Sequence, residues 1–168
     1  TPMKVSIMIP CLNEQDNVLP TIETVMQAVQ YLNLSYEIIV IDDGSRDSTN
    51  AIVKKYFAGH SGSPIRLITH ETNKGLGYSY FEGAEQGIGE YYIFVCGDHA
   101  EPVEALTTIW SHLGEADMVI PDLDQSTRPW VRRLISGTFV LLCNLLSGKQ
   151  IRYYNGSVLH KRVNVVKF

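Results

Sequence analysis

Long hydrophobic runs are absent from this sequence of 168 residues. A helix needs about 20 apolar residues to cross a bilayer, so no segment qualifies as a transmembrane helix. The chain opens directly on a strand-like segment, and we therefore expect no signal peptide. Cysteine is scarce, and its three residues lie far apart, without the paired spacing of a zinc site. These absences indicate a globular protein of a reducing compartment, and we expect a cytoplasmic location.

Glycine-rich phosphate-binding motifs are missing as well. Gly75 and Gly77 are followed by Tyr80, where a dinucleotide fingerprint has its third glycine. Gly148 and Lys149 lack the upstream glycine and the following hydroxyl residue of a P-loop. A diphosphate ligand would therefore have to be held in another way.

Acidic residues are absent after Asp124, although the chain contains 18 of them. The net charge of −4 thus conceals an acidic part, residues 1–124, and a basic part, residues 125–168. Two interpretations stay open. Either the surface charge is uneven without further meaning, or the acidic part holds a metal and a diphosphate while the basic part faces phosphate or an anionic membrane. The length fits one domain over residues 1–168.

Short apolar runs alternate with helical periods through most of the chain. Runs of this length suit strands that are buried on both faces of a parallel sheet. The predicted strands are Lys4–Pro10, Glu37–Ile41, Ile65–Thr69, Tyr91–Val95 and Asp117–Ile120. The predicted helices contain the segments Val18–Leu32, Ile52–Tyr56, Leu76–Gln86 and Pro102–Leu113. The alternation predicts an α/β fold with a mainly parallel, Rossmann-like sheet flanked by helices.

Polar and acidic clusters follow three of the predicted strands. The first strand leads into Asn13 and Glu14, the second into Asp42 and Asp43, and the fourth into Asp98. Each cluster alone has the composition of an ordinary turn or helix cap. Ligands bind beyond the carboxyl ends of parallel strands, so three such clusters are expected to converge on one crevice. Carboxylates repel a diphosphate, and such a crevice would need Mg²⁺ or Mn²⁺ as a bridge.

Four motifs, in this order, resemble glycosyltransferase family 2, whose catalytic domain has the GT-A fold. The motifs are Pro10-x-x-Asn13-Glu14, Ile41-Asp42-Asp43-Gly44-Ser45-x-Asp47-x-Thr49, Asn73-Lys74-Gly75 and Gly97-Asp98. Asp98 matches the second aspartate of the family's Asp-x-Asp motif, and by this resemblance it would bind the metal that neutralises the leaving diphosphate. The resemblance also implies a binding site for the nucleotide-sugar donor, made of Pro10, Asn13, Glu14, Asp42, Asp43, Lys74 and Gly75.

One position departs from that motif, because Cys96 stands where the family has the first aspartate. A thiol is a poor ligand for Mg²⁺ or Mn²⁺, so we expect weaker metal binding. Alternate residues of an extended chain point to the same side, which puts Cys96 beside Asp98 inside the site. His99 and Glu101 either compensate for the lost carboxylate or are structural and surface residues.

The basic part starts with Arg128, Arg132 and Arg133, which lead into an apolar stretch over residues 134–146. The stretch is either a buried core helix or a helix in a membrane interface with its arginines toward the headgroups. An Arg-Arg step before Leu-Ile-Ser and a later Asn-Gly turn resemble the polyprenyl-phosphate sugar transferases of the same family. The last residues, 165–168, have the composition of an interrupted strand.

The chemistry of the acceptor gives a further indication. A hydroxyl acceptor needs a general base, whereas a lipid phosphate is already anionic and needs cations to position it. Because no carboxylate follows Asp124, polyprenyl phosphate is the preferred acceptor, and a sugar hydroxyl of a glycan is the alternative. Arg132 and Arg133 are the candidates that bind the acceptor phosphate, since the guanidinium fork matches phosphate oxygens.

These observations predict a glycosyltransferase that moves a hexose from a UDP- or GDP-linked sugar by direct displacement with inversion. It would act in glycan or cell-envelope synthesis, by peripheral contact with the cytoplasmic face of a membrane, with no nucleic-acid partner. One rival hypothesis is a GT-A module that binds a nucleotide without turnover. The other is a nucleotidyltransferase, which usually carries a glycine-rich, basic loop in place of residues 11–14.

Overall fold

The computed structural model describes residues 4–60, 62–121, 129–152, 154 and 156–167. The chain divides into two units, one formed by residues 1–119 and 159–168 and the other by residues 120–158. We call them the sheet unit and the helical unit. The prediction of one domain over residues 1–168 stays a prediction.

Strands and helices alternate along the sheet unit. The strands are β1 (Lys4–Cys11), β2 (Ser35–Asp42), β3 (Ile65–Thr69), β4 (Tyr91–Phe94), β5 (Met118–Val119) and β6 (Leu159–Lys161). The helices are α1 (Val18–Tyr31), α2 (Thr49–Gly59), α3 (Leu76–Gln86), α4 (Val103–Trp110) and, at the end of the chain, α6 (Arg162–Val166). The remaining helix, α5 (Trp130–Ser147), belongs to the helical unit. All five predicted strands and four predicted helices are present, which confirms the α/β fold.

The strand order β3-β2-β1-β4-β6-β5 creates a switch point at the centre of the sheet. The chain builds outward from β1 through β2 to β3, and then crosses back to place β4 on the other side of β1. These four strands are parallel, whereas β6 is antiparallel to both β4 and β5. Cys11 pairs with Asp42 and Asp42 with Thr69, so β1, β2 and β3 end at the same edge. Ligands of open α/β sheets bind at such a switch point.

The two faces of the sheet carry separate apolar clusters, as the period of two along a strand requires. On one face, Ile7 and Ile9 of β1 pack in a cluster that includes Trp110 of α4. On the other face, Met8 packs in a cluster with Ala84 of α3. All five side chains are buried, and each large apolar side chain removed from water contributes roughly 1.5–3 kcal/mol. Burial on both faces explains the continuous apolar runs in the sequence.

The last residues of the chain correct one expectation. Residues 165–168 were expected to be strand-like, but helix α6 occupies Arg162–Val166 and strand β6 comes just before it. In β6, His160 pairs with Tyr92 and Lys161 with Tyr91. Strand β6 has three residues, which are too few to show a periodic pattern in the sequence. The apolar residue Val165 belongs to the face of α6 that packs on the sheet. Phe168 lies outside the described residues.

The helical unit consists of α5 and the segment that returns along it. The helix ends at Ser147 and is capped by Gly148, whose φ of +65° is the left-handed conformation that favours glycine. The side chain of Asn144 exchanges two hydrogen bonds of 3.0 Å with the backbone of Ile151, and Tyr154 Oη donates a third at 2.7 Å. The alternative of a buried core helix is wrong, because α5 has no buried residue. In the described part of the chain, no helix has both the length and the hydropathy to cross a membrane.

Gly83 sets how closely α3 lies on the sheet. A Cβ atom on this residue would lie 2.6 Å from Tyr92 Oη and 2.7 Å from Met8 Cγ, and both side chains are fully buried. We expect Gly83→Ala to lower the free energy of unfolding by about 1–3 kcal/mol, the usual cost of overpacking. Urea unfolding measures the change. Gly77→Ala, at an exposed position of the same helix with open space around it, is the control and should cost nothing. Equal stability of the two variants would contradict the prediction.

Candidate functional site

A cleft opens at the carboxyl edge of the sheet, at the switch point between β1 and β4. Its walls come from the segments that follow β1, β2, β3 and β4, as the positions of the polar clusters predict. The lining residues are Pro10, Cys11, Leu12, Glu14, Asp43, Asn73, Gly75, Leu76, Ser79, Cys96, Gly97 and Asp98. Of the predicted site residues, Pro10, Glu14, Asp43, Gly75 and Asp98 line this cleft.

Gly97 brings the segment after β4 against the end of β1. Its backbone N–H donates to Pro10 O at 3.2 Å, and a Cβ atom at this position would lie 2.7 Å from that oxygen. A side chain here would therefore push Cys96 and Asp98 away from the first strand. In the Gly97-Asp98 motif, glycine is therefore required for steric reasons, while the aspartate supplies the chemical group.

Asp42 is buried beneath the loop that follows β2. Its Oδ1 accepts a hydrogen bond from Ser45 N at 3.0 Å, and its Oδ2 accepts one from Asn50 Nδ2 at 2.7 Å. One oxygen therefore holds the turn and the other the first turn of α2, and Asp42 is not among the residues that line the cleft. Its predicted contact with the nucleotide-sugar donor stays a prediction.

Asn13 joins the loops that follow β1 and β2. Its backbone N–H donates to Ser45 Oγ at 2.9 Å, and its side-chain oxygen accepts from Arg46 N at 2.8 Å. Glu14 N donates to Thr49 Oγ1 at 2.9 Å and extends the same junction. Hydrogen bonds thus connect the polar residues of the first two motifs. Asn13 itself does not line the cleft.

Asp43 lines the cleft and holds the segment between β3 and α3. Its carboxylate accepts hydrogen bonds from Lys74 N at 2.8 Å, from Gly75 N at 2.8 Å and from His70 Nδ1 at 2.6 Å. Burial opposes the charge of Asp43, but these bonds outweigh it and lower the pKa of the carboxyl. Gly75 adopts a φ of +90°, which a side chain would strain, so the turn requires glycine there.

His70 is a site residue that the sequence analysis missed. It follows β3 directly, is 5% exposed, and lies between Asp43 and Glu82 of α3. Burial works against its charge, but the hydrogen bonds to the two carboxylates outweigh that effect and raise its pKa. The rule about strand ends applies to β3 as well, and it includes His70 once it is extended from acidic clusters to every titratable residue.

Asp98 and Cys96 lie on the same wall of the cleft, as expected. The carboxylate of Asp98 is exposed and accepts one hydrogen bond, from Ala100 N at 3.2 Å. Burial raises the pKa of the Cys96 thiol, and the charges of Asp98, Glu101 and Glu14 raise it further. The thiol therefore stays protonated and is a poor ligand for a hard cation. Within the described ranges, no three His, Cys, Asp or Glu side chains form a metal-binding group.

His99 and Glu101 do not replace the missing carboxylate in the lining of the cleft. The Nε2 atom of His99 lies 3.1 Å from Thr24 Oγ1, which ties the segment after β4 to helix α1. Neither His99 nor Glu101 is among the lining residues. The structural interpretation of His99 therefore has a direct contact in its favour.

Ser79 offers the cleft an unused hydroxyl. The residue lines the cleft from α3, is fully buried, and its Oγ has no hydrogen-bond partner among the described residues. A buried hydroxyl without a partner costs free energy unless a ligand or water satisfies it. Lys74, the other predicted residue of this segment, is exposed, and its Nζ lies 4.4 Å from the ring centre of Tyr78.

Arg132 and Arg133 belong to the first turn of α5 in the helical unit, and both are exposed. Arg128 lies outside the described residues. The predicted contact of the two arginines with an acceptor phosphate stays a prediction.

Comparison with known proteins gives the family. The profile of the family described as Glycosyl transferase family 2 matches residues 6–162. A dolichyl-phosphate beta-glucosyltransferase from Dictyostelium discoideum is 35% identical over 103 residues, covering 56% of this chain and 31% of that protein. A dolichol-phosphate mannosyltransferase from Pyrococcus furiosus is 31% identical over 104 residues, covering 62% of this chain and 28% of that protein. The chain thus spans less than a third of either relative.

A solved structure shows the same fold over almost the whole chain. It is that of glucosyl-3-phosphoglycerate synthase from Mycobacterium tuberculosis, in complex with Mn²⁺, uridine diphosphate and phosphoglyceric acid. The TM-score is 0.67 at 19% identity, and the match covers 96% of this chain and 56% of that one. The likeness confirms the predicted GT-A fold and, at this identity, shows the fold alone.

Replacing Asp43 tests its role in holding the cleft wall. We expect Asp43→Asn to lower the free energy of unfolding by about 1–3 kcal/mol, because one amide oxygen cannot accept the three bonds that the carboxylate accepts. Urea unfolding at neutral pH measures the change. Glu71→Gln, the same change at an exposed position near His70, is the control and should stay within about 0.5 kcal/mol of the original. A similar loss in both variants would remove the special role of Asp43.

Proposed function

The chain belongs to glycosyl transferase family 2, and from that premise we propose that it transfers a hexose from a nucleotide diphosphate sugar to polyprenyl phosphate. The observation that carries the proposal is the cleft at the switch point of the sheet. Asp43 and Asp98 line it on two different strand ends, and the unpartnered hydroxyl of Ser79 lies in the same cleft. The cleft therefore has polar groups left for a ligand, where α/β sheets bind nucleotides.

We propose that a divalent cation, Mg²⁺ or Mn²⁺, accompanies the donor. Asp98 fits as its ligand, because its carboxylate is exposed, lines the cleft and is a hard oxygen donor. Such cations often bind through one or two carboxylates and the substrate's own phosphates, so a larger cluster of protein ligands is not required. When bound, the cation neutralises the charge of the leaving diphosphate. The solved relative with Mn²⁺ and uridine diphosphate supports this part of the proposal.

The acceptor assignment rests on the two curated relatives and on the charge of the helical unit. Both relatives are named for transfer to a dolichol phosphate. Arg132 and Arg133 are exposed on α5, where the guanidinium fork can bind phosphate oxygens in pairs. We therefore assign them to the acceptor phosphate, at the surface of the membrane that carries it.

In the proposed reaction, an anionic oxygen of the lipid phosphate attacks the anomeric carbon of the sugar. The bond from that carbon to the diphosphate oxygen breaks on the opposite side, which inverts the configuration. The attacking oxygen carries no proton, so no general base is needed. In this proposal Asp98 acts on the donor, and the two arginines act on the acceptor phosphate.

Cys96 favours a second candidate function, a GT-A module that binds a nucleotide without turnover. Its neutral thiol occupies the position of the family's first aspartate, so the donor site has one carboxylate fewer. The two functions differ in the response to Cys96→Asp. A weakened enzyme gains transfer activity from this change, whereas a binding module gains affinity alone.

Calorimetry of UDP and GDP binding tests the donor site. We expect one of the two nucleotides to bind in the presence of Mn²⁺ and not in the presence of a chelator. The Asp98→Asn variant should lose this metal-dependent binding. Cys96→Asp should strengthen it about tenfold, equivalent to about 1.4 kcal/mol. Cys143→Asp puts the same change on a thiol of α5 and should have no effect. If neither nucleotide binds to folded protein under any of these conditions, the proposed donor site is wrong.

Transfer assays with two lipids test the acceptor. We expect transfer to polyprenyl phosphate and none to the polyprenol that lacks the phosphate. Arg132→Gln and Arg133→Gln should each raise the KM for polyprenyl phosphate about tenfold, the loss of about 1.4 kcal/mol of binding, without changing nucleotide affinity. Lys149→Gln removes an exposed charge of the same unit and serves as the control. An unchanged KM in the double arginine variant would contradict the assignment.

A further inference from the structure

His70 forms two short contacts with two different carboxylates. Its Nδ1 lies 2.6 Å from Asp43 Oδ1, and its Nε2 lies 2.7 Å from Glu82 Oε2. The imidazole side chain is 3% exposed, and the side chains of Asp43 and Glu82 are 7% and 20% exposed. The three groups form a largely buried charged triad that links the end of β2, the segment after β3 and helix α3.

With both carboxylates ionised, the geometry of the triad requires a proton on each ring nitrogen. Ionised carboxylates only accept hydrogen bonds, so each one needs an N–H donor opposite to it. A neutral imidazole has one N–H group and one lone pair, and the lone pair would then face a carboxylate oxygen. The bonded form is therefore the imidazolium cation, with one positive charge between two negative charges. Loss of the proton breaks one of the two hydrogen bonds.

The other groups around His70 do not change this charge balance. Tyr78 of α3 contacts the imidazole edge to face, with 5.6 Å between ring centres. Lys74, on the segment before α3, disfavours the imidazolium, but its effect is smaller than those of the two carboxylates. The hydrogen bonds and charges of Asp43 and Glu82 thus decide the protonation state of His70 against both burial and Lys74.

The triad is connected to the cleft through Asp43. The same Oδ1 atom of Asp43 that accepts from His70 also accepts from Lys74 N, and Oδ2 accepts from Gly75 N. Asp43 and Gly75 both line the cleft, and Ser79 lines it from the same helix that carries Glu82. A shift of the imidazole therefore moves two walls of the cleft, the Lys74–Gly75 turn and the start of α3.

We infer that His70 is a positioning residue. Its imidazolium, hydrogen-bonded to two carboxylates, holds Asp43, the Lys74–Gly75 turn and α3 in the conformation that binds the nucleotide. The inference rests on the proposed function, since it concerns the same cleft. It adds a pH dependence to donor binding. The contribution of His70 is complete below the ordinary histidine pKa of 6.5 and is lost as the pH rises through the raised pKa of the folded protein.

The Glu82→Gln variant distinguishes two roles of His70, a charged member of the triad and a histidine that only supports the structure. The glutamine amide donates a hydrogen bond to the lone pair of neutral Nε2, while Nδ1–H still donates to Asp43. Neutral His70 then keeps both bonds, so this variant should retain nucleotide affinity in alkaline solution. Glu85→Gln makes the same change at an exposed position of the same helix and should behave as the original protein.

Calorimetric titrations of UDP and GDP with Mg²⁺, at intervals from roughly pH 6 to pH 9.5, measure the effect. We expect the affinity of the original protein and of Glu85→Gln to fall about tenfold on the alkaline side, and that of Glu82→Gln to stay level. His70→Gln should bind weakly throughout, near the alkaline limit of the original. Thermal unfolding of each protein without nucleotide, at each pH, shows that the compared samples are folded.

Nitrogen NMR of the His70 ring reports the protonation of the triad independently of any nucleotide. Two protonated ring nitrogens should persist above pH 6.5 in the original protein and be lost at lower pH in Glu82→Gln. Nucleotide binding with the same alkaline loss in Glu82→Gln as in Glu85→Gln would overturn the inference and leave the proposed function intact. No binding of either nucleotide to any variant at any pH, with Mg²⁺ or with Mn²⁺, would overturn both, and the NMR result would still show whether the triad is charged.

Discussion

The carboxylate of Asp43 is the contact on which the binding cleft depends. It comes directly after β2, yet its three hydrogen bonds reach only residues that follow β3, which are His70, Lys74 and Gly75. Parallel strands that end at the same edge bring these distant segments together without a covalent link. Through His70 the contact extends to Glu82, so it links the wall of the cleft to helix α3. Such networks are strong when complete and costly when one member is lost.

Most polar residues of the motifs support the loops and do not face the cleft. Asp42 binds the turn that follows it, and Asn13 joins the first two loops through Ser45 and Arg46. Asp47 accepts hydrogen bonds from Thr49, which in turn accepts one from Glu14 N. A motif of this kind therefore describes a loop architecture first, and it leaves a smaller set of groups for the ligand. This division explains why a sequence pattern can be specific for a family while its individual residues differ in function.

One wall of the cleft departs from the family's motif, because the thiol of Cys96 stands beside Asp98, the proposed metal ligand. Burial and the neighbouring carboxylates keep Cys96 protonated, so it adds neither charge nor a hard ligand. The positive charge that neutralises a diphosphate would have to come from a cation. Asp98 and the phosphate oxygens would hold that cation together. The arginines of α5 belong to the helical unit, and their proposed role is to bind the acceptor phosphate.

Periodicity and the strand-end rule were sufficient to predict the α/β fold, the four parallel strands, helices α1 to α4 and the place of the cleft. These features follow from local patterns, since burial on both faces of a sheet imposes continuous apolar runs. The sequence could not separate Asp42 from Asp43, because the two adjacent carboxylates look alike until the structure shows that Asp43 lines the cleft and Asp42 does not. His70 follows a strand end, but it stands outside the acidic clusters that the sequence shows. Its charge is set by two partners, 27 and 12 residues away, and only the tertiary structure brings them together.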